Sequence, residues 1–212
     1  EFLSFVPADN ARGWVLLKFD SALAIKMLED ARDAGHGDAV VFEGFTRFVY
    51  PEQQGQSFEE VAADVTINDL LNDPDIMAAS ASAGEEANTQ AQRIIDAVGL
   101  PPEDVIRVPF VMEEAYNQFV AHGPGTVNGV LLKAGHFASP SPHSPVVEGK
   151  DLWGSYLEET LAAAPINTTV HWVEDWYSYH INYGEVHCGT NTLRQTSEAS
   201  AAWWTLSQPA AE

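Results

Sequence analysis

The amino-acid sequence predicts a mixed α/β fold, and three features indicate this class. Short segments with the apolar pattern of strands alternate with longer amphipathic segments typical of helices. The order strand-strand-helix-strand occurs about twice, and no linker separates two domains. The hydrophobic content of 45% in 212 residues is enough to build a buried core. We therefore expect one α/β unit.

The first predicted elements are two strands and a helix. A turn rich in Pro, Asp and Asn separates a strand over Phe2–Val6 from a strand over Gly13–Phe19. Ser21 is the expected N-cap of a helix that runs through Asp33, because a Ser hydroxyl accepts from the free N–H groups of a first turn. Gly35 is the expected C-terminal stop of this helix.

A short strand, a loop and a long helical block are predicted next. The apolar run Ala39–Phe42 is a strand, and Tyr50–Ser57, rich in Gln, Pro and Gly, is a loop. The helical block spans Ile67–Val98. We expect it to be interrupted at Asp73-Pro74 and again in the small-residue stretch Ala78–Gly84.

The rest of the chain predicts four strands, a proline-rich loop and one helix. The predicted strands are Asp104–Pro109, Val127–Lys133, Thr168–Trp172 and Glu185–His187. The loop covers Ser139–Pro145, where prolines keep the backbone extended, and the helix covers Asp151–Ala164. Glu174-Asp175 is expected to cap a helical turn at Trp176.

The charge of the chain restricts its partners. There are 31 acidic residues against 10 basic ones, which gives a net charge of −21. A field of this sign repels nucleic acid and anionic membrane surfaces and attracts cationic substrates such as arginine-rich peptides. The same charge also fits a solubility or salt adaptation, so it permits a cationic substrate without demonstrating one. Apolar runs are only a few residues long, and no targeting signal is visible, which leaves the localisation open between cytoplasmic and secreted.

Cys188 is the only cysteine in the sequence. A single thiol excludes an intrachain disulfide and a cysteine-based zinc site, and leaves a buried filler, a reactive thiol or an interchain bond. Its neighbourhood is rich in chemistry, because residues 172–191 contain many aromatics and two histidines. A thiolate beside N–H groups or an imidazolium is an effective nucleophile.

Three neighbours of the cysteine are expected to shape its surroundings. Gly184 and Gly189 bracket the predicted strand and favour tight turns with φ > 0. His187 is adjacent to the thiol, but neighbouring side chains on a strand point to opposite faces. We therefore expect His187 to order the loop rather than to act as the base. Elsewhere, His122, His136 and His143 are expected in surface loops, and no metal site is predicted.

The octet Gly-Glu-Val-His-Cys-Gly-Thr-Asn around the thiol resembles the nucleophile motif of the protein-arginine deiminases. Further segments resemble the same family, in the same order, along nearly the whole chain. These segments are Glu1–Ala8, Gly35-His36-Gly37, Phe42-Glu43-Gly44, Val127-Asn128, Pro145–Gly149, Gly184–Asn191 and Trp203-Trp204.

The resemblance implies a fold, a reaction and a substrate. The fold would be part of a pentein, a five-bladed α/β-propeller, with about two ββαβ-type modules in this C-terminal part of the catalytic domain. Cys188 would attack the guanidinium carbon of a peptidyl arginine, expel ammonia and form a thiouronium intermediate that water hydrolyses to citrulline. The partners would be an arginine-containing protein or peptide and the upstream part of the same protein.

The departures from the family pattern restrict which residues carry over. The family has a His-x-Asp pair directly before the strand that begins at Glu1, a guanidinium-binding Asp further upstream, and calcium ligands upstream. Calcium is therefore implied only by the resemblance, with no ligands in this chain, and the isolated chain is expected to be incomplete. Asn182 stands where some relatives have an Arg near the substrate backbone. Cys188 is the only catalytic residue carried over, with Asn182, Gly184, His187 and Gly189 as site-shaping candidates.

Two alternatives stay open. The chain is either a processed or non-catalytic fragment that serves as a binding or structural module, or part of a related deiminase that acts on free arginine or small guanidines.

Overall fold

A computed structural model describes residues 1–49 and 59–193 of the chain. In chain order the strands are β1 Leu3–Pro7, β2 Trp14–Phe19, β3 Val40–Val41, β4 Thr46–Val49, β5 Glu59–Ala62, β6 Val65–Thr66, β7 Val105–Val108, β8 Met112–Ala115, β9 Gln118–Ala121, β10 Val130–Lys133, β11 His136–Pro140, β12 Val146–Val147, β13 Lys150–Asp151 and β14 Thr169–Val173. The α-helices are α1 Ser21–Ala31, α2 Ile67–Asn72, α3 Pro74–Val98 and α4 Leu152–Ala162. The loop predicted over Tyr50–Ser57 and the Trp203-Trp204 segment lie outside the described residues.

The strands and helices form two modules with the same connection pattern. In the first, β1 and β2 are antiparallel, the helices α1 to α3 follow, and β7 then pairs parallel to β2. In the second, β10 and β11 are antiparallel, α4 follows, and β14 pairs parallel to β11. The mixed α/β class and the repeated strand-strand-helix-strand order are therefore confirmed.

The first helix begins one residue earlier than its predicted cap implies. Asp20 has an extended backbone, and its Oδ1 accepts the Leu23 N–H at 2.9 Å, so Asp20 is the N-cap. The predicted cap Ser21 is instead the first helical residue, and its hydroxyl donates to the Ser80 carbonyl at 2.7 Å inside the core. Gly35 lies at the end of a π-helical turn with φ 96°, which a Cβ would disfavour.

The long helical block has one interruption, where two were predicted. Asp73 ends α2 and caps α3, with Pro74 at the first helical position, as predicted. The small-residue stretch Ala78–Gly84 does not break the helix, which is continuous over Pro74–Val98. The small residues serve close packing instead, because a Cβ on Gly84 would stand 2.6 Å from the Ser21 hydroxyl.

Three predictions in the second half need correction. Residues 139 and 140 belong to β11, where they pair with β14, and only the rest of the predicted loop is irregular. The β8–β9 hairpin was not predicted; its turn is formed by Tyr116 and Asn117, both with φ > 0. The predicted strand over Glu185–His187 is a turn.

One large core joins the two modules. Its biggest fully buried side chains come from strands, helices and loops alike: Trp153, Trp176, Phe19, Phe42, Phe110, Phe137, Leu16, Leu17, Leu28, Ile67, Leu157 and Leu161. Trp176 packs on Phe42 with ring centroids 5.3 Å apart, and its indole N–H donates to the Thr46 carbonyl at 2.7 Å. The segment that leads to Cys188 is therefore anchored in the core. None of the helices in the described ranges has the length and apolarity needed to cross a membrane.

Candidate active site

Cys188 lies in a turn that closes on itself through backbone hydrogen bonds. The Gly189 N–H donates to the Glu185 carbonyl at 3.2 Å, and the Thr190 N–H donates to the His187 carbonyl at 3.0 Å. These bonds fold the segment into a turn, and a bond from the His187 N–H to the Asn128 carbonyl does not extend into a strand ladder, so the predicted strand is absent. The thiol is exposed, so the interpretation of Cys188 as a buried filler is wrong.

Asn128 links the Cys188 turn to the loop that precedes β10. Its backbone carbonyl and its side-chain Oδ1 each accept the His187 N–H at 3.2 Å. Its side-chain Nδ2 donates to the Cys188 Sγ at 3.7 Å. Asn128 is only 4% exposed, so the turn is held by a buried group.

Glu185 provides the second attachment of the turn. Its Oε1 accepts the Gly125 N–H at 3.1 Å and lies 2.9 Å from His180 Nδ1. Its side chain is buried, and so is that of Asp175. Because Gly125 is in the same loop as Asn128, the carboxylate of Glu185 and the amide of Asn128 hold the same two loops together.

Asp175 and Glu185 form a buried acidic pair. Burial, followed by the negative charge of the neighbouring Glu185, raises the pKa of Asp175 to about 8. Neither Asp175 oxygen nor Glu185 Oε2 has an N–H or O–H donor within the described residues. A pKa of about 8 favours the protonated form of Asp175 at neutral pH, because a second buried negative charge beside Glu185 is unfavourable. The pair Glu174-Asp175 was expected to cap a turn at Trp176, and Glu174 does so, because its Oε1 accepts the Trp176 N–H at 3.0 Å.

The acidic pair predicts a pH-dependent stability. The unfolded chain releases the Asp175 proton near its ordinary pKa of 3.8, whereas the folded chain keeps it until about pH 8. The contribution of this group to stability therefore falls as the pH rises between these values. Replacing Asp175 with Asn, which has the same shape and no charge, is expected to stabilise the protein at pH 8 by about 2 kcal/mol more than at pH 5, after allowance for solvent screening.

Urea denaturation at the two pH values measures this difference. Asp9→Asn, at an exposed position, is the matched control and is expected to change the free energy of unfolding equally at both. An equal effect of Asp175→Asn at pH 5 and pH 8 would contradict the assignment of the proton.

His187 contacts the start of the chain rather than the thiol. Its Nδ1 lies 2.6 Å from Glu1 Oε1, and its side chain is half exposed. The alternation of side chains along a strand does not apply to His187 and Cys188, because this segment is a turn. A loop-ordering role for His187 stays a prediction.

The two glycines beside the thiol differ from each other. Neither is among the residues with φ > 0, so the expectation of left-handed turns at Gly184 and Gly189 is wrong. A Cβ on Gly184 would make an ordinary contact at 3.6 Å with Tyr179. A Cβ on Gly189 would stand 2.6 Å from the Tyr179 hydroxyl oxygen and closer still to the adjacent ring carbon. A side chain at Gly189 therefore requires the exposed Tyr179 ring to move, and one at Gly184 does not.

The remaining predicted residues lie apart from this arrangement. Asn182 is exposed at the end of a short 3₁₀ helix, His180–Asn182. His122 was expected on a surface loop, but its side chain is 7% exposed and its Nδ1 lies 2.9 Å from Glu113 Oε2. His136 belongs to β11, where its Nδ1 lies 2.8 Å from His171 Nε2.

Sequence reasoning did not single out Asn128, Asp175, His180 or Glu185 as site residues. Glu185 lies inside the octet around Cys188, and Asn128 lies inside the family-like segment Val127-Asn128. Membership of these segments is the sequence feature that could have identified both residues. Among residues 1–49 and 59–193, no three His, Cys, Asp or Glu side chains converge as metal ligands.

A recess of about 210 Å³ lies beside the Cys188 turn. It is lined in part by Glu1, Asn128, Tyr183 and Glu185. The carboxylates of Glu1 and Glu185 give this lining hydrogen-bond acceptors. A cation with N–H donors, such as a guanidinium, needs acceptors of this kind.

Comparison with known proteins gives consistent results. A family model described as protein-arginine deiminase matches residues 1–205. Protein-arginine deiminase type-4 of Homo sapiens is 29% identical over 97% of the chain. Type-3 of Mus musculus is 29% identical over 96% of the chain, and type-1 of Homo sapiens is 26% identical over 97%. The chain spans about 28% of the length of each of these relatives.

Proposed function

The chain belongs to the protein-arginine deiminase family, and from this premise we propose that the protein carrying it converts peptidyl-arginine to peptidyl-citrulline and ammonia. Cys188 is the nucleophile in this proposal. The observation that supports it most directly is that the only thiol of the sequence is exposed. It lies on a turn that the buried side chains of Asn128 and Glu185 attach to the core. We further propose that the two strand-strand-helix-strand modules are part of a pentein propeller.

The proposed first step forms a covalent intermediate. The Cys188 sulfur, as a thiolate, attacks the guanidinium carbon, a C–S bond forms, and one C–N bond breaks. The departing nitrogen takes up a proton and leaves as ammonia. The enzyme then holds a positively charged thiouronium group joined to the rest of the arginine side chain.

The second step regenerates the thiol. Water attacks the same carbon, the C–S bond breaks, and the carbon keeps the oxygen as the carbonyl of citrulline. The sum is arginine plus water giving citrulline plus ammonia, with no net oxidation or reduction. Dividing one slow hydrolysis into two displacements is the general advantage of covalent catalysis.

Other groups complete this proposal. Acceptors for the guanidinium and an acid for the ammonia are expected from the His-x-Asp pair and the Asp that the family resemblance places before residue 1. The acidic surface, with its net charge of −21, favours the approach of a cationic segment. Calcium takes part in no step of this scheme.

An assay of the full-length protein that carries this chain tests the proposed activity. An arginyl peptide with both ends blocked and free arginine are compared, each with and without calcium. We expect citrulline and ammonia in equal amounts from the peptide, with kcat/KM at least about tenfold above that for free arginine. A lysyl peptide of the same sequence is the control and is expected to yield neither product.

The other outcomes identify the alternatives. Faster turnover of free arginine or of a small guanidine would favour a deiminase of small molecules. No turnover of any substrate with or without calcium would favour a non-catalytic binding or structural module.

A further inference from the structure

We propose that Asn128 is a further catalytic residue, whose side-chain amide donates an N–H to the sulfur of Cys188 and stabilises the thiolate. The word catalytic rests on the proposed function, whereas the hydrogen bond to the thiol and its effect on the thiolate do not. It starts from the 3.7 Å contact between Asn128 Nδ2 and Cys188 Sγ.

The orientation of the amide follows from its other hydrogen bond. Asn128 Oδ1 accepts the His187 N–H at 3.2 Å, so the oxygen must point to the backbone of the turn. The opposite orientation would place an NH₂ group against that N–H and an oxygen against the sulfur lone pairs. Two N–H donors facing each other repel, so the donor end of the amide is directed at Cys188.

The amide is also held in place before any substrate binds. The Asn128 N–H donates to the Gly125 carbonyl at 2.8 Å, and the preceding Val127 is fully buried. The following Gly129 is so tightly packed that a Cβ there would stand 2.6 Å from the Phe137 ring. A donor fixed in this way costs little reorganisation when negative charge develops on the sulfur.

The charged groups around the turn are mainly acidic, so a neutral hydrogen-bond donor would help to stabilise a negative charge on Cys188. The acidic side chains that face it are Glu1, paired with His187, and Glu185, which lies against His180 and Asp175. Negative charges disfavour a thiolate, so a donor that brings no charge of its own but offers an N–H offsets part of their effect. Within residues 1–49 and 59–193, the side-chain hydrogen bond to the Cys188 sulfur comes from Asn128.

The test measures the alkylation of Cys188 by iodoacetamide in the full 212-residue chain, with the modified peptide identified by mass spectrometry. Alkylation needs the thiolate and no arginine substrate. For Asn128→Asp, which keeps the shape but loses the donor and adds a charge, we expect the rate at pH 7 to fall about tenfold. For Asn128→Ala, which adds no charge, we expect a fall of about threefold. Asn72→Asp, exposed on α2, is the charge-matched control and is expected to keep the wild-type rate.

The pH profile separates thiolate stabilisation from a structural effect. At the alkaline plateau every thiol is ionised, so the variants and the wild type are expected to agree within about twofold. If Asn128→Asp does not fold, as judged by circular dichroism, Asn128→Ala carries the same test. Wild-type rates at pH 7 for the folded variants, or an equal deficit at pH 7 and at the plateau, would overturn the inference.

The result is independent of the proposed function. Slow alkylation of the variants would support the role of Asn128 even if the full-length protein made no citrulline, a result that would refute the deiminase. Normal alkylation of the variants in a protein that makes citrulline would refute only the role of Asn128.

Discussion

Replacing Gly189 with Ala is expected to lower kcat for citrulline formation by about tenfold and to destabilise the protein by about 1 kcal/mol. The added methyl group would overlap the phenol ring of Tyr179, with 2.6 Å to its oxygen. Tyr179 is 40% exposed, so its ring can take up part of the displacement by rotating toward solvent. Because Gly189 follows Cys188 directly, the part taken up by the turn moves the nucleophile.

Two further variants make this prediction sharp. Gly184→Ala adds the same methyl group at an ordinary 3.6 Å from Tyr179, and a much smaller loss of kcat is expected. The double variant Gly189→Ala, Tyr179→Ala removes the overlapping ring and should regain most of the lost stability. The measurements are kcat and the urea midpoint of unfolding for each variant. Equal effects of the two glycine substitutions would show that the overlap with Tyr179 is not the cause.

The elements with strong local signals could be predicted from the sequence. The break between α2 and α3 at Asp73-Pro74 is fixed by the proline, and the first strand pair by its turn residues. The cap of α1 was misplaced by one residue because Asp20 and Ser21 are both good N-caps. Only the contact of Ser21 with Ser80, 59 positions away, decides between them.

The elements that depend on distant partners could not be predicted. Residues 139 and 140 form part of a strand because β14 pairs with them across the α4 connection. The small residues of Ala78–Gly84 look like a helix break, but Gly84 is small because the Ser21 hydroxyl leaves no space for a Cβ there.

The same limit applies to the candidate site. The thiol was found from its motif, since it is the only cysteine and has a recognisable neighbourhood. Its conformation was not found, because Val186 and His187 have a strand-like pattern and the turn is held by Asn128, about 60 residues earlier. The pairing of Asp175 with Glu185 was likewise invisible, because it depends on burial in the folded chain.

Replacing Cys188 with Ala is expected to lower kcat by at least about 10³-fold in the full-length protein, because no other step of the scheme can begin without the thiolate. Cys188→Ser is expected to be nearly as inactive, since a hydroxyl is far less ionised than a thiol at neutral pH. The side chain is exposed, so the free energy of unfolding should change little. Ser178→Ala, at an exposed position, is the control and should retain wild-type kcat.

The most direct test of Cys188 as the nucleophile is acid quenching of the full-length enzyme during turnover of a blocked arginyl peptide, followed by mass spectrometry. The account predicts that the peptide containing Cys188 gains the mass of the substrate less one ammonia, and that this adduct is absent in Cys188→Ala. An adduct on a different residue, or citrulline release by Cys188→Ala at a rate near that of the wild type, would contradict it.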